Sequence, residues 1–127
     1  MKKTAPSWMN DQAKKEWRRV IKLIIEEEKE LEEKDFKTLE TYCVNYAKWL
    51  KCEEIMDQEG LTFETPNGYI QQRPEVSIGN KAQERLLAAA KELGLTPAAR
   101  ARMNRNKISE KEEEFDSELE DMISDGT

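Results

Sequence analysis

Histidine is missing altogether from the 127-residue chain, and cysteine occurs only at Cys43 and Cys52. Without an imidazole base, Ser–His and Cys–His nucleophile systems are excluded. Two thiols and no histidine supply too few ligands for a zinc site. The cysteines lie on what reads as one helix, about two and a half turns or roughly 13 Å of rise apart and on different faces, too far for a mutual disulfide. They read as small buried or half-buried side chains. Long apolar runs are missing too: nothing approaches the roughly 18 residues a membrane span requires. Met1-Lys2-Lys3-Thr4-Ala5-Pro6 leads into a polar, charged segment rather than an apolar signal core. A soluble, cytosolic protein without membrane association is expected.

Catalytic constellations are lacking as well. The many carboxylates fall in runs on expected solvent faces, whereas an acid–base dyad needs convergence across the fold. Gly79-Asn80-Lys81 resembles the end of a phosphate-binding loop, but the upstream glycine and the following Ser or Thr are missing, with Ala82 in that place. The chain is therefore read as no enzyme, with no cofactor, no metal and no small-molecule substrate.

What is present is charge, and it is segregated. Hydrophobic residues make up 37% and charged residues 38%, so the core is small for the length and self-association is a plausible further source of buried surface. The formal net charge is −6, yet residues 1–23 carry a net +5, residues 24–40 a net −5, residues 81–107 a net +5 and residues 108–127 a net −8. A protein with separate basic patches can bind DNA whatever its overall pI.

Ala13, Trp17, Val20, Ile21 and Ile24 recur at helical spacing. Asn10 is the expected N-cap, and Ala13 stands where a capping-box acid would sit. This helix is expected to continue through Ile25 to Leu31. Its Trp17, with Trp8 before it, reads as core. A second helix is expected from about Asp35 to Glu59, with Gly60 as its stop. It carries two stripes, one of Phe36, Leu39, Cys43, Tyr46, Ala47 and Leu50, the other of Tyr42, Trp49 and Met56. Together they exceed what one neighbouring helix can bury, so a third helix or a second subunit must pack there. Leu61-Thr62-Phe63-Glu64 and Tyr69-Ile70-Gln71 flank Thr65-Pro66-Asn67-Gly68, a hairpin signal. Strands this short need support from helices or from a neighbour. A third helix is expected from Pro74 to a stop at Gly94, burying Ile78, Ala82, Leu86, Ala89, Ala90 and Leu93. Thr96-Pro97 opens a short fourth helix through about Met103.

These readings give a mainly α protomer: two long helices in a hairpin, a third and a short fourth, and a small β-hairpin insertion. Residues 1–8 form a flexible basic arm, 9–103 the helical core with its hairpin near 61–72, and 104–127 an acidic, partly disordered tail. In that tail, Ser109 and Glu112 suit the start of an induced helix carrying Phe115, Leu119, Met122 and Ile123 on one face.

Pro6 and Ser7, then Trp8-Met9-Asn10-Asp11-Gln12-Ala13-Lys14-Lys15-Glu16-Trp17, resemble the opening of the P27-type phage terminase small subunits. That family begins with proline-x-tryptophan-leucine, then an alanine and a second tryptophan at this spacing; Met9 stands in place of leucine. Asp35 to Cys43 is similar to the family's second-helix start, although Glu32 replaces its usual threonine cap. Thr65 to Gln71, Pro74 to Lys81 and Gly94 to Arg102 follow in the family's order. The resemblance spans about residues 6 to 103 and implies a helical protein forming a homo-oligomeric ring in the cytoplasm of the infected bacterial host. It further implies recognition of the packaging site on concatemeric double-stranded viral DNA, and recruitment and regulation of the large terminase subunit, which carries the ATPase and nuclease.

Lys14, Lys15, Arg18, Arg19 and Lys22 are the first candidates for DNA contact, because phosphates need only clustered positive charge on a rigid element. The alternative is a solvated face paired in part with Glu16 and the downstream glutamates. Arg100, Arg102 and Arg105, with Lys107, form a second basic cluster, for phosphates, base edges or the acidic tail. Tyr42, Tyr46, Trp49, Met56, Phe63 and Tyr69 are candidates for an oligomer interface. Phe115, Leu119, Met122 and Ile123 are candidates for docking on a protein partner. A rival reading is a non-enzymatic interaction adaptor or regulator without direct DNA binding.

Overall fold

The computed structural model describes residues 4–27, 31–95 and 111–123. They fall into two units, within residues 1–93 and 94–127. The first holds three helices, α1 (Asp11–Glu26), α2 (Glu33–Glu59) and α3 (Pro74–Glu92), with strands β1 (Thr62–Glu64) and β2 (Ile70–Gln72) between α2 and α3. In the second, residues 111–123 are helical. The short helix expected at Thr96 to Met103 lies outside the described residues.

Helix α1 opens as its cap predicts, with the Ala13 N–H donating to Asn10 Oδ1 at 2.8 Å. Ala13, Trp17, Val20 and Ile24 are buried, and Ile21 is half-buried. The helix stops at Glu26, short of the expected Leu31, and has no basic residue in its last turn. Glutamates at a helix C-terminus oppose the helix dipole, which shortens this end. Helix α2 begins two residues earlier than expected, with Glu32 as N-cap. The Glu32 N–H donates to Asp35 Oδ2 at 2.9 Å, so the aspartate at N3 forms the reciprocal half of a capping box by accepting from the N-cap's own N–H.

One expected stripe of α2 faces α1, while α3 packs on a pole that belongs to neither stripe. Phe36, Leu39, Cys43 and Ala47 lie on one side, where Trp17 of α1 stacks on Phe36 with ring centroids 6.2 Å apart. Nearly opposite on the helical wheel, Asn45 and Cys52 are buried, and α3 packs there. A Cβ on Gly79 would come within 3.1 Å of the Cys52 Cβ, so this glycine lets the helices approach closely. The α3 seam of Gly79, Ala82, Leu86, Ala89 and Ala90 consists mostly of small residues for the same reason. Ile78, expected inside, is 47% exposed. Gly79 takes the inward position, and one residue earlier on a helix is turned away by roughly 100°.

The β-hairpin has the expected position, with Phe63 opposite Gln71. Its loop is Pro66-Asn67-Gly68, closed by Thr65 N–H to Tyr69 O at 2.8 Å. Gly68 adopts φ +86°, a left-handed conformation that glycine takes without steric penalty. Every strand residue is exposed, so of the two supports expected, helices or a neighbour, the helices of the same subunit do not cover these strands. The hairpin is tied at its base, where the Arg73 N–H donates to Leu61 O at 2.9 Å and Arg73 pairs with Glu59 at 3.5 Å. Replacing Gly79 with leucine should overpack the α2–α3 seam and lower unfolding free energy by about 1–3 kcal/mol. Urea denaturation followed by circular dichroism measures this, and an unchanged midpoint contradicts the close-approach account.

Candidate nucleic-acid interface

The outer surface of α1 carries the five cations singled out from the sequence, and the fold divides them. Lys14, half-buried, and Arg18 and Lys22, exposed, follow one another at i, i+4 and i+8. They rim a groove of about 670 Å³ whose apolar lining includes Trp17, Ile21 and Ile25. Lys15 is exposed beside this row. A row of this kind presents positive heads to solvent while the alkyl stems cover apolar surface.

Arg19 belongs to a different arrangement. Its Nε donates to Glu16 Oε1, and Glu16, at 4% exposure, is a buried carboxylate. The hydrogen bond to Glu16 raises the Arg19 pKa above its ordinary value, opposed by partial burial and helped by the Glu16 charge. Across the helix contact, burial pushes the Tyr42 phenol up, and the Glu16 charge adds to the effect. The Cys43 thiol is pushed up to about 12 by burial and then by Glu16. Arg19 therefore compensates a buried charge at the α1–α2 contact, with part of its guanidinium still in solvent. The alternative noted from the sequence, a cation paired with Glu16, holds for this residue.

Arg100, Arg102, Arg105 and Lys107 lie outside the described residues. Among the aromatic candidates, Tyr42 is 7% exposed and packs within the subunit, leaving little of it for a second copy. Tyr46 and Trp49 are half-buried and extend a ladder from it along α2. The Tyr42–Tyr46 centroids are 6.3 Å apart and the Tyr46–Trp49 centroids 6.2 Å. Met56 is half-buried, while Phe63 and Tyr69 are exposed, as are Leu61, Ile70 and Ile78. Phe115, Leu119, Met122 and Ile123 are exposed on the helix at 111–123, and their i, i+4, i+7, i+8 spacing puts them on one face.

Three features escaped the sequence reading. Glu16 reads as a solvent partner in the sequence but is buried, and only its i+3 spacing to Arg19 hinted at the pair. Trp8, expected in the core, is 64% exposed, while the neighbouring Met9 is buried in its place at 4%. The Met9 N–H donates to Pro6 O at 3.2 Å, and this turn decides which side chain faces inward. Lys48 and Lys51, which no motif marked, rim a second groove together with Trp8. Among the described residues no helix is long and apolar enough to cross a membrane.

The Glu16–Arg19 arrangement makes an asymmetric prediction. Arg19→Ala leaves a buried carboxylate without its cation and should cost about 1–3 kcal/mol of stability. Glu16→Gln leaves a neutral amide beside a cation that still reaches water, and should cost less. Paired urea titrations at neutral pH measure both, and equal costs would contradict this account.

The family model described as phage terminase, small subunit, matches residues 13–110. No curated protein and no solved structure matches the chain. The matched stretch covers well over half the sequence and takes in most of α1 together with α2, the hairpin and α3. The chain belongs to the phage terminase small subunits and has a role in phage DNA packaging.

Proposed function

We propose that this protein is a P27-type small terminase subunit, without catalytic activity of its own, that assembles into a homo-oligomeric ring and recognises concatemeric viral DNA. It acts in the cytoplasm of the infected bacterial host and recruits and regulates the large terminase subunit, the ATPase and nuclease of packaging. The observation that carries the DNA part is the row of Lys14, Arg18 and Lys22 along one groove of α1. A rigid helix holding cations on one side offers phosphate contacts without sequence readout. Arg100, Arg102 and Arg105 are proposed as further phosphate contacts on the chain. Repetition around a ring would multiply a weak single contact.

The ring part rests on apolar surface that one copy leaves uncovered: Tyr46, Trp49 and Met56 on α2, and Phe63 and Tyr69 on the hairpin. Self-association would remove that surface from water and give the short strands the support they need. The apolar face of Phe115, Leu119, Met122 and Ile123 on an otherwise acidic helix suits the groove of a large-subunit partner.

Charge reversal of Arg18 and Lys22 to glutamate, leaving Arg19 in its structural pair, should weaken duplex DNA binding by about tenfold or more at fixed salt. The mass of the native assembly should stay unchanged. Retained affinity would support the adaptor reading instead. In the full chain, Trp49→Ala with Tyr69→Ser should shift the native mass toward the monomer while the helical circular dichroism persists. A native mass that does not change would remove these residues from the ring contact.

A further inference from the structure

A second groove, of about 390 Å³, opens where the segment entering α1 meets the middle of α2. Its floor contains Met9, Ala13 and Cys52, all buried. Its rim carries Lys48 and Lys51, both exposed, one helical turn apart on α2 and therefore side by side. Trp8 completes the rim at 64% exposure. A solvent-facing indole beside two lysines is a costly thing to leave bare, and it presents both an apolar plate and positive charge to one ligand.

The segment leading into α1 borders both grooves. Thr4 and Ala5 line the one rimmed by Lys14, Arg18 and Lys22, and Trp8, Met9 and Asn10 line the other. The two cationic rims thus share one stretch of chain as a common wall. The ligand that suits such a pair is polyanionic, extended and partly apolar. Duplex DNA has all three properties, because its backbone alternates phosphates with apolar deoxyribose faces.

We infer that Trp8, Lys48 and Lys51 form a second DNA contact, in which the lysines meet phosphate oxygens and the indole packs on sugar or base-edge surface. This rests on the DNA-binding reading above and extends it from α1 onto α2. Lysine supplies the charge without base discrimination. Trp8 supplies the contact that excludes water from it.

The test uses the full-length protein and a duplex oligonucleotide. Wild-type indole fluorescence should be quenched on titration with DNA, and Trp8→Phe should abolish most of that quenching, since Trp17 is buried and the half-buried Trp49 lies on a different flank of α2 from Lys48 and Lys51. The double variant Lys48→Ala, Lys51→Ala should flatten the slope of log K against log salt by about 1.8, two phosphates at about 0.9 each. All three side chains are exposed, so thermal melts should match the wild type. Quenching that persists in Trp8→Phe, or an unchanged salt slope in the lysine variant, overturns the inference. If the Arg18→Glu, Lys22→Glu protein loses DNA while the lysine variant keeps wild-type affinity and slope, this second contact fails and the α1 reading stands. If the wild-type protein does not bind duplex DNA, both fall together.

Discussion

The double burial of α2 is the constraint from which the rest of the first unit follows. One long helix serves as the wall for α1 on one side and for α3 on the nearly opposite side. A helix used this way must bury side chains at both poles, and its remaining flanks are all that stay available for polar work or further association. On one flank lie Tyr46 and Trp49, half-buried, and on another Lys48 and Lys51, exposed. The aromatic ladder and the lysine rim are therefore what is left once two helices have been seated. The α3 side is tightly packed, because even a Cβ at Gly79 would come within 3.1 Å of the Cys52 Cβ.

A second consequence concerns the buried carboxylate. Glu16 sits at the α1–α2 contact where an apolar residue would pack without electrostatic cost. Its presence commits Arg19 to the pair, and its charge adds to the burial that raises the pKa of both Tyr42 and Cys43. The cost is contained because Arg19 reaches both the carboxylate and the solvent. The cations of α1 consequently differ in their duties. One neutralises the interior, and the row at Lys14, Arg18 and Lys22 remains turned outward. Charge counting along the helix cannot separate these roles, since the distinction is made by the tertiary contact.

Much of the fold was legible because its signals are local. Asn10 as a cap, Gly60 as a stop, Pro74 at the first helical position and Asn67-Gly68 in a turn each act through the conformation of their own residues, and each is found in place. The failures came where the answer depends on another element. Ile78 was expected inside because its spacing fits, but Gly79 is the residue that a close helix crossing selects. Trp8 was expected inside because tryptophan usually is, but the turn from Pro6 to Met9 buries the methionine. The apolar surface of α2 was seen to exceed what one helix can bury, but the pole that α3 covers, at Asn45 and Cys52, lies outside both expected stripes. The α1 cations were found as a group, yet the burial of Glu16 that divides them is set by a tertiary contact, and no motif marked the lysines of α2.

The acidic total of −6 is a poor guide to what such a protein can hold. At physiological ionic strength a charge is screened over about 8 Å, so a phosphate responds to the few side chains around it and not to the sum over the chain. The span from Lys14 to Lys22 is about 12 Å of helix, only somewhat longer than that screening distance. Such a row acts as one local patch whose strength is set by its own three or four cations. A single patch of this size binds weakly and without sequence preference. Affinity must then come either from neighbouring contacts on the same subunit or from repetition across subunits. The first route adds phosphate contacts and steepens the salt dependence of each subunit. The second raises overall affinity only if the geometry lets several patches reach one duplex together. In the proposed ring the exposed hairpin and aromatic flank would bear on DNA binding too, because they would set the spacing at which those cations are presented.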